Sequence, residues 1–214
     1  MNKKNNLLLR LITIVCSCII CIVIVSILRV HFQNIYQTQY EQGKTANVEV
    51  IKEVKTQLSN AEEKIDISSI TIPKEGDAYA TISVDRVNFK KPLYYGDNDV
   101  ILNLGIGHYM GSGLPGQGKP ILLAGHNGTE FYQLQNMKKD DIVNIKTEWG
   151  TYTYKIYDIE IMAATDFDAN VLDDNSEYLI MYSCYPFDVA DTPDRYFVYA
   201  SYVSGPLLKG GNVR

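Results

Sequence analysis

Few residues in this chain have side chains suited to covalent chemistry. Cys184, in LIMYSCYPF, is the only cysteine in the last 193 residues, while Cys16, Cys18 and Cys21 lie together in an apolar run near the start. A thiol that acts as a nucleophile needs a proton acceptor and donor nearby, and hydrogen-bond donors for the oxyanion it creates. The histidines available are His31, His108 and His126. His126 sits in LLAGHNG, after an apolar strand and between Gly125 and Gly128. That is a strand end, where a loop lets the ring face a groove. His108 sits in GIGHYMGSGLPG. Position alone does not separate the two rings. Arg195 follows Cys184 by eleven residues and opens the segment RYFVYASYV. Arginine stays charged at any working pH and presents a rigid fork of donors. Each residue also has a plain reading. Cys184 can be a buried packing thiol, a histidine a satisfied structural group, and Arg195 the partner of Asp188, Asp191 or Asp194 in a surface ion pair.

The elements that must position these groups read as β-structure. From about Asp66, short β-prone runs alternate with turn residues: ISSITIP (67–73), YATISV (79–84), PLYYG (92–96), PILLAG (120–125), DIVNIKT (141–147), TYTYKIYDIEIM (151–162), YLIMYSC (178–184) and RYFVYASYV (195–203). Several alternate residue by residue, as strands with one buried face do. Trp149-Gly150 reads as a turn between two of them. About eight short strands with little helix between them predict an all-β sandwich or barrel. Helical insertions are expected over 98–110 and 129–137. Pro186 stops the YLIMYSC strand from continuing as a central one. Strands joined by a loop as short as 185–194 pair as neighbours, which would bring Cys184 and Arg195 to one rim of a sheet.

The compartment decides what the lone thiol means. Leu11 to Leu28 is 18 residues without a charge. As a helix it would span about 27 Å, near the ~30 Å of a bilayer core. The run is too long, and its flank Arg29-Val30-His31-Phe32 too bulky, for a cleaved signal peptide. Lys3, Lys4 and Arg10 precede it, and no acid appears before Glu41. An uncleaved anchor with a cytoplasmic N-terminus is therefore expected, with the rest of the chain outside the cell. The expected organisation is 1–10 cytoplasmic, 11–28 transmembrane, 29–65 a partly helical stalk, 66–207 the domain and 208–214 a tail. Outside the cell a disulfide would form if a partner existed. Cys184 has none nearby, so a free or intermolecular thiol remains. Taking Lys3, Lys4 and Arg10 from the 20 basic residues leaves 17 against 25 acidic, a net of −8. With no basic run, nucleic acid is excluded as a partner.

The segments LPGQGKPILLAGHNGTEFYQL, LIMYSCYPF and TPDRYFVYA, in that order and spacing, resemble the sortases, the cysteine transpeptidases of Gram-positive cell surfaces. SSITIP, GIGHYMGSGLPG and DIVNIKTEWGTYTYKI resemble the same pattern, so the likeness runs over about 67–203. CYPF, with no lid segment ahead of the domain, leans toward the class D group. The resemblance implies an eight-stranded β-barrel with short helices and a groove on one face. It matches Cys184 to the nucleophile, His126 to the catalytic histidine and Arg195 to the catalytic arginine, and leaves His108 structural. Ser183, Tyr182, Ala124 and Asn127, beside those positions, are expected to bind substrate. The family reads Thr-Leu-any-Thr-Cys at the nucleophile, whereas this chain has Ile180-Met181-Tyr182-Ser183-Cys184. Ser183 keeps the hydroxyl. The implied partners are surface proteins with a C-terminal LPXTG-like sorting signal and an amine acceptor such as a peptidoglycan precursor. No cofactor and no metal are expected. The acids of loop 163–177 (Asp166, Asp168, Asp173, Asp174, Glu177) read as a solvated loop, with calcium the alternative.

Two other readings compete. A membrane-anchored, non-catalytic ectodomain for binding or sensing would leave the thiol idle and tolerate alanine at 126 and 195. An L,D-transpeptidase would hold its His and Cys in one short motif, whereas here they are 58 residues apart.

Overall fold

A computed structural model describes residues 20–29, 31 and 64–210. Residues 20–29 are helical, with apolar side chains such as Ile22 and Val25 exposed, and form part of a unit separate from the rest. Half of the anchor expected over 11–28, residues 11–19, falls outside the described residues. Among those described, no helix is long and apolar enough to cross a membrane. Most of the expected stalk, and residues 211–214 of the expected tail, also lie outside them.

Residues 64–210 carry ten strands. β1 (Lys64–Asp66) pairs in parallel with β10 (Leu207–Lys209), joining the two ends of this stretch. Between them lie β2 (Ala78–Val84), β3 (Phe89–Tyr95), β4 (Ile106–His108), β5 (Ile121–Ala124), β6 (Ile142–Thr147), β7 (Thr151–Ala163), β8 (Tyr178–Tyr185) and β9 (Asp194–Ser204). These eight close into a barrel in the order β2-β3-β4-β5-β8-β9-β7-β6. Closure leaves no unpaired edge, which is how an all-β domain satisfies its backbone. The eight-stranded barrel with few helices is the expected architecture.

Seven of the eight runs expected as strands are strands. ISSITIP is not. Asp66 accepts hydrogen bonds from the Ser68 backbone N–H and hydroxyl, and Ile67–Ser69 turns into a 3-10 helix. Such local side-chain bonds compete with a sheet ladder. The eighth barrel strand is β4, inside the stretch expected to be helical over 98–110. Only Asp99–Leu102 is helix there, capped by the Asn98 side chain, which accepts from the Ile101 N–H. The 129–137 insertion is a 3-10 helix at Tyr132–Asn136.

Alternation fills the barrel. Ile82 and Val84 of β2, Val143 and Ile145 of β6, and Tyr152 and Tyr154 of β7 all point in. At ~25 cal/mol per Å², each such side chain contributes about 1.5–3 kcal/mol. The turn expected at Trp149-Gly150 joins β6 and β7, where Thr147 Oγ1 accepts from the N–H groups of both Trp149 and Gly150.

β8 differs in being buried on both faces. Leu179 and Met181 enter the barrel core, while Tyr178 and Ile180 join Leu122 and Phe197 in a second cluster on the outer face. Phe167, Val171 and Leu172, from the loop carrying 3-10 helices Ala164–Asp166 and Ala169–Asp173, cover that cluster.

Candidate active site

Three neighbouring strands set the site. β5 and β8 run parallel, with Ala124 level with Tyr182, and the ladder continues one step as the Gly125 N–H donates to the Tyr182 carbonyl at 3.3 Å. Two residues further along β8 is Cys184, and His126 lies two residues past Ala124, the last residue of β5. β8 and β9 run antiparallel, with Cys184 directly opposite Arg195. Neighbouring strands lie ~4.8 Å apart. Cys184 and Arg195 therefore stand side by side in one row, with His126 just past the end of the adjoining β5.

Cys184 and Arg195 also share a face. Strand side chains alternate, so Cys184 follows Tyr178, Ile180 and Tyr182 to the outer face. Arg195 follows Phe197 and Tyr199 of β9, and His126 is carried by the loop that leaves the end of β5. Cys184 and Arg195 are half-buried and His126 is exposed. The outer face carries the second cluster below them, so the row stands at the open end of a covered apolar surface.

Each member is braced. The His126 carbonyl accepts from the Phe131 N–H at 3.0 Å, which fixes the loop that carries the ring. Gly125 lets that loop pass close to Phe131, where a Cβ would meet the ring at 2.9 Å. The Arg195 guanidinium donates from Nη1 to the Thr192 carbonyl at 2.6 Å and the Asp194 carbonyl at 2.9 Å. Its other nitrogens remain for a ligand. Among the described residues it forms no salt bridge with Asp188, Asp191 or Asp194.

The four residues expected to bind substrate occupy different places. Tyr182 and Ala124 lie on the outer face one step below the row. The Tyr182 ring stacks on Phe197 at 5.5 Å, and Phe197 stacks on Phe167 at 5.1 Å. Burial raises the Tyr182 phenol pKa, as do the charge of Asp97 and the proximity of Cys184, while Arg195 opposes them. Ser183 faces inward, fully buried, and its hydroxyl donates to the Gly125 carbonyl at 2.7 Å. It ties the nucleophile's strand to the backbone ahead of His126. Asn127 donates from Nδ2 to the carbonyls of Pro186 and Val189, both at 2.8 Å. Both its amide hydrogens thus bind the loop between β8 and β9, which positions Cys184 and Arg195.

His108 is placed quite differently. It is fully buried on β4, with Tyr79 Oη at 2.7 Å from Nδ1 and Ser112 Oγ at 3.0 Å from Nε2. Burial lowers its pKa to about 4, so it stays neutral. Both ring nitrogens are engaged inside the fold, away from the outer face. His31 belongs to the separate N-terminal unit.

Glu177 is a residue whose role sequence reasoning missed. It leaves the acidic loop and turns inward, fully buried. Its carboxylate accepts from the Gly116 N–H at 3.0 Å, the Gly118 N–H at 2.9 Å and the Tyr154 hydroxyl at 2.7 Å. Burial raises its pKa to about 7 against the lowering effect of those donors. The available signal was an acid directly before an unbroken apolar strand, with the glycine-spaced LPGQG elsewhere to receive it. Of the remaining loop acids, Asp168 accepts from the Asn170 N–H and Asp166 from the Thr165 hydroxyl. Among the described residues, no group of three or more His, Cys, Asp or Glu side chains is placed to hold a metal ion.

A family model described as the Sortase domain matches residues 82–203. Sortase D of Bacillus subtilis (strain 168) is 31% identical over 133 residues, covering 62% of this chain and 67% of that protein. The catalytic domain of B. anthracis SrtD is 31% identical with a TM-score of 0.53, covering 67% of this chain and 98% of that one. Sortase C1 of Streptococcus suis shares the fold at 23% identity and a TM-score of 0.55, covering 60% of this chain and 74% of its own.

Proposed function

The chain belongs to the sortase family, cysteine transpeptidases, and from that premise we propose that Cys184, His126 and Arg195 carry the reaction on the outer face of the barrel. The single observation that supports this most is the pairing of Cys184 directly opposite Arg195, beside the loop that carries His126 from the end of the adjoining β5. The Cys184 thiolate attacks a peptide carbonyl in a sorting signal of the LPXTG kind. Arg195 donates hydrogen bonds to the oxyanion or to the peptide backbone. His126 protonates the departing amine, and the acyl group remains on Sγ as a thioester. An amine from a cell-wall precursor or another protein then attacks. His126 takes its proton and the thiolate leaves. Family membership removes the idle-thiol reading of the sequence.

The covered apolar surface of Tyr182, Phe197 and Phe167 supports a role for Tyr182 and Ala124 in seating the peptide. Ser183 and Asn127 serve the same site through the backbone they hold. For the cell, we propose a single-pass anchor over 11–28 with the N-terminus in the cytoplasm and the barrel outside. The charge-free run and the basic residues before it support this reading.

The test is intact mass spectrometry of the full-length chain mixed with an LPXTG-type peptide library. A peptide fragment on Cys184 that disappears when an amine is added is the expected result. Cys184→Ala should abolish the adduct and the transfer. His126→Ala and Arg195→Ala should lose most activity and stay folded. Full activity in Cys184→Ala would end the proposal.

A further inference from the structure

Tyr185 and Tyr196 are the chain neighbours of Cys184 and Arg195, and they point to the opposite side of the same two strands. Their rings stack at 6.1 Å, and Phe187 stands edge-on to both, 6.2 Å from Tyr185 and 5.2 Å from Tyr196. Tyr132 meets Phe187 edge-on at 6.3 Å. Ile161 of β7, level with Tyr196, extends the same surface. Phe187 and Tyr196 pack on the barrel core, while Tyr132 and Ile161 remain 38% and 49% exposed. Four rings and an isoleucine thus make an open apolar face at the barrel mouth, one residue away from the thiol and the guanidinium.

This face borders the loop of His126. That loop and loop 186–193 meet along a seam at three places. The Asn127 amide donates to the Pro186 and Val189 carbonyls, the Asp188 Oδ1 lies 3.2 Å from where a Gly128 Cβ would stand, and Tyr132 touches Phe187. Asp188 is exposed there and forms no salt bridge among the described residues. A carboxylate beside an open aromatic face suits a cation on an apolar stem. The side of the site matters too. The group that protonates the departing amine also takes the proton of the arriving one, so the acceptor enters beside His126. With the donor's acyl part on the outer face, the mouth side is left to the amine.

We propose that Tyr132, Phe187 and Asp188 form the acceptor subsite and select an amine carried on an unbranched alkyl stem. The stem lies on the rings, and the carboxylate draws in the ammonium. The amine attacks in its neutral form. It releases one proton to water, His126 takes the second as the C–N bond forms, and the C–S bond breaks to return the thiolate. The kinetic half of the test rests on the transpeptidase reading, and the binding half does not.

The kinetic half gives the full-length chain one LPXTG-type donor and three acceptors: ethylamine, pentylamine of the same basicity, and hydroxylamine, which is uncharged at neutral pH. The wild-type chain should prefer pentylamine to ethylamine by about tenfold in kcat/KM, the effect of half-burying three methylenes. In Tyr132→Ala, at an exposed position, the ratio should fall to about twofold, with thioester formation and hydrolysis unchanged. Asp188→Asn keeps a residue that tolerates the φ of +61° found there. It should lower transfer to both alkylamines about threefold and leave hydroxylamine unaffected. The binding half follows the Gly128 and Phe187 amide resonances of full-length Cys184→Ala on adding pentylamine. Shifts that Tyr132→Ala removes support the subsite even if no peptide is ever turned over. No preference for pentylamine in an active enzyme, a preference that survives Tyr132→Ala, alkylamine transfer indifferent to Asp188→Asn, or unmoved amides would overturn it.

Discussion

Replacing Glu177 by glutamine removes a titrating group and keeps its shape. Two influences meet at this carboxyl. Its burial disfavours the charge, while the N–H groups of Gly116 and Gly118 and the Tyr154 hydroxyl favour it. Burial prevails and raises the pKa from 4.5 to about 7. Between those two values the folded chain keeps a proton that the unfolded chain has released. Stability must then fall as pH rises through this window. The contribution is fully present below 4.5 and lost above about 7. At ~1.36 kcal/mol per pH unit, the window is worth about 3 kcal/mol. Glutamine has no such dependence. Urea unfolding of the wild type and Glu177→Gln at a series of pH values gives the stability difference directly, and other titrating groups cancel in it. From pH 4.5 to pH 8 that difference should move against the wild type by about 3 kcal/mol. A difference that stays flat to within about 0.5 kcal/mol would show that the three donors hold Glu177 ionised throughout, and the reasoning would fail.

The two histidines of the domain should separate cleanly. His108→Ala should cost at least about 2 kcal/mol in unfolding free energy, because it leaves a cavity and strands the Tyr79 hydroxyl. Because burial holds His108 down at about 4, its share of stability is present above 6.5 and lost as pH falls through 4, and His108→Ala should lack that part of the acid dependence. His126→Ala should unfold at the wild-type temperature and fail to transfer, and the reverse pattern in calorimetry and transfer assays would exchange their roles. Asn127→Ala deletes two bonds that hold the β8–β9 loop, about 1–3 kcal/mol of local constraint. It should lower kcat tenfold or more, with faster amide exchange at 187–191 and little change in melting temperature. Unchanged kcat and exchange would mean the loop is held by other contacts.

How far the sequence could be read depended on the length of each pattern. β7 is thirteen residues long, with buried side chains at every second position from Tyr152 to Ile156, and is unmistakable, as are β8 and β9. β4 is three residues, Ile106-Gly107-His108, with a glycine at its centre. No period can be counted over three residues, and the helix signal just before it extended too far. ISSITIP failed for the opposite reason. It has the composition of a strand, but Asp66 and Ser68 form a local turn that composition does not reveal. The pairing of Cys184 with Arg195 was legible because a short connection between strands forces neighbours. The choice between His108 and His126 was not legible from position. The structure separates the two rings by environment, with His108 buried on β4 and His126 exposed past the end of β5.

Register explains how the thiol is kept on the outer face. A strand with one polar face declares its phase, since a slip of one residue would turn every side chain over. In β8 the residues Tyr178, Leu179, Ile180 and Met181 are all buried, so hydrophobicity favours neither phase. The phase must be set by groups that are not apolar. Two lie at the ends of the apolar run. Glu177 fixes its start to the backbone of Gly116 and Gly118, and Ser183 fixes its end to the Gly125 carbonyl. A one-residue slip would break both sets of bonds, bury the Cys184 thiol and turn Ser183 out. The serine that precedes the nucleophile therefore acts by orientation. Facing the core, it holds Cys184 toward the groove, and it ties the strand of the thiol to the loop of His126 with one hydrogen bond.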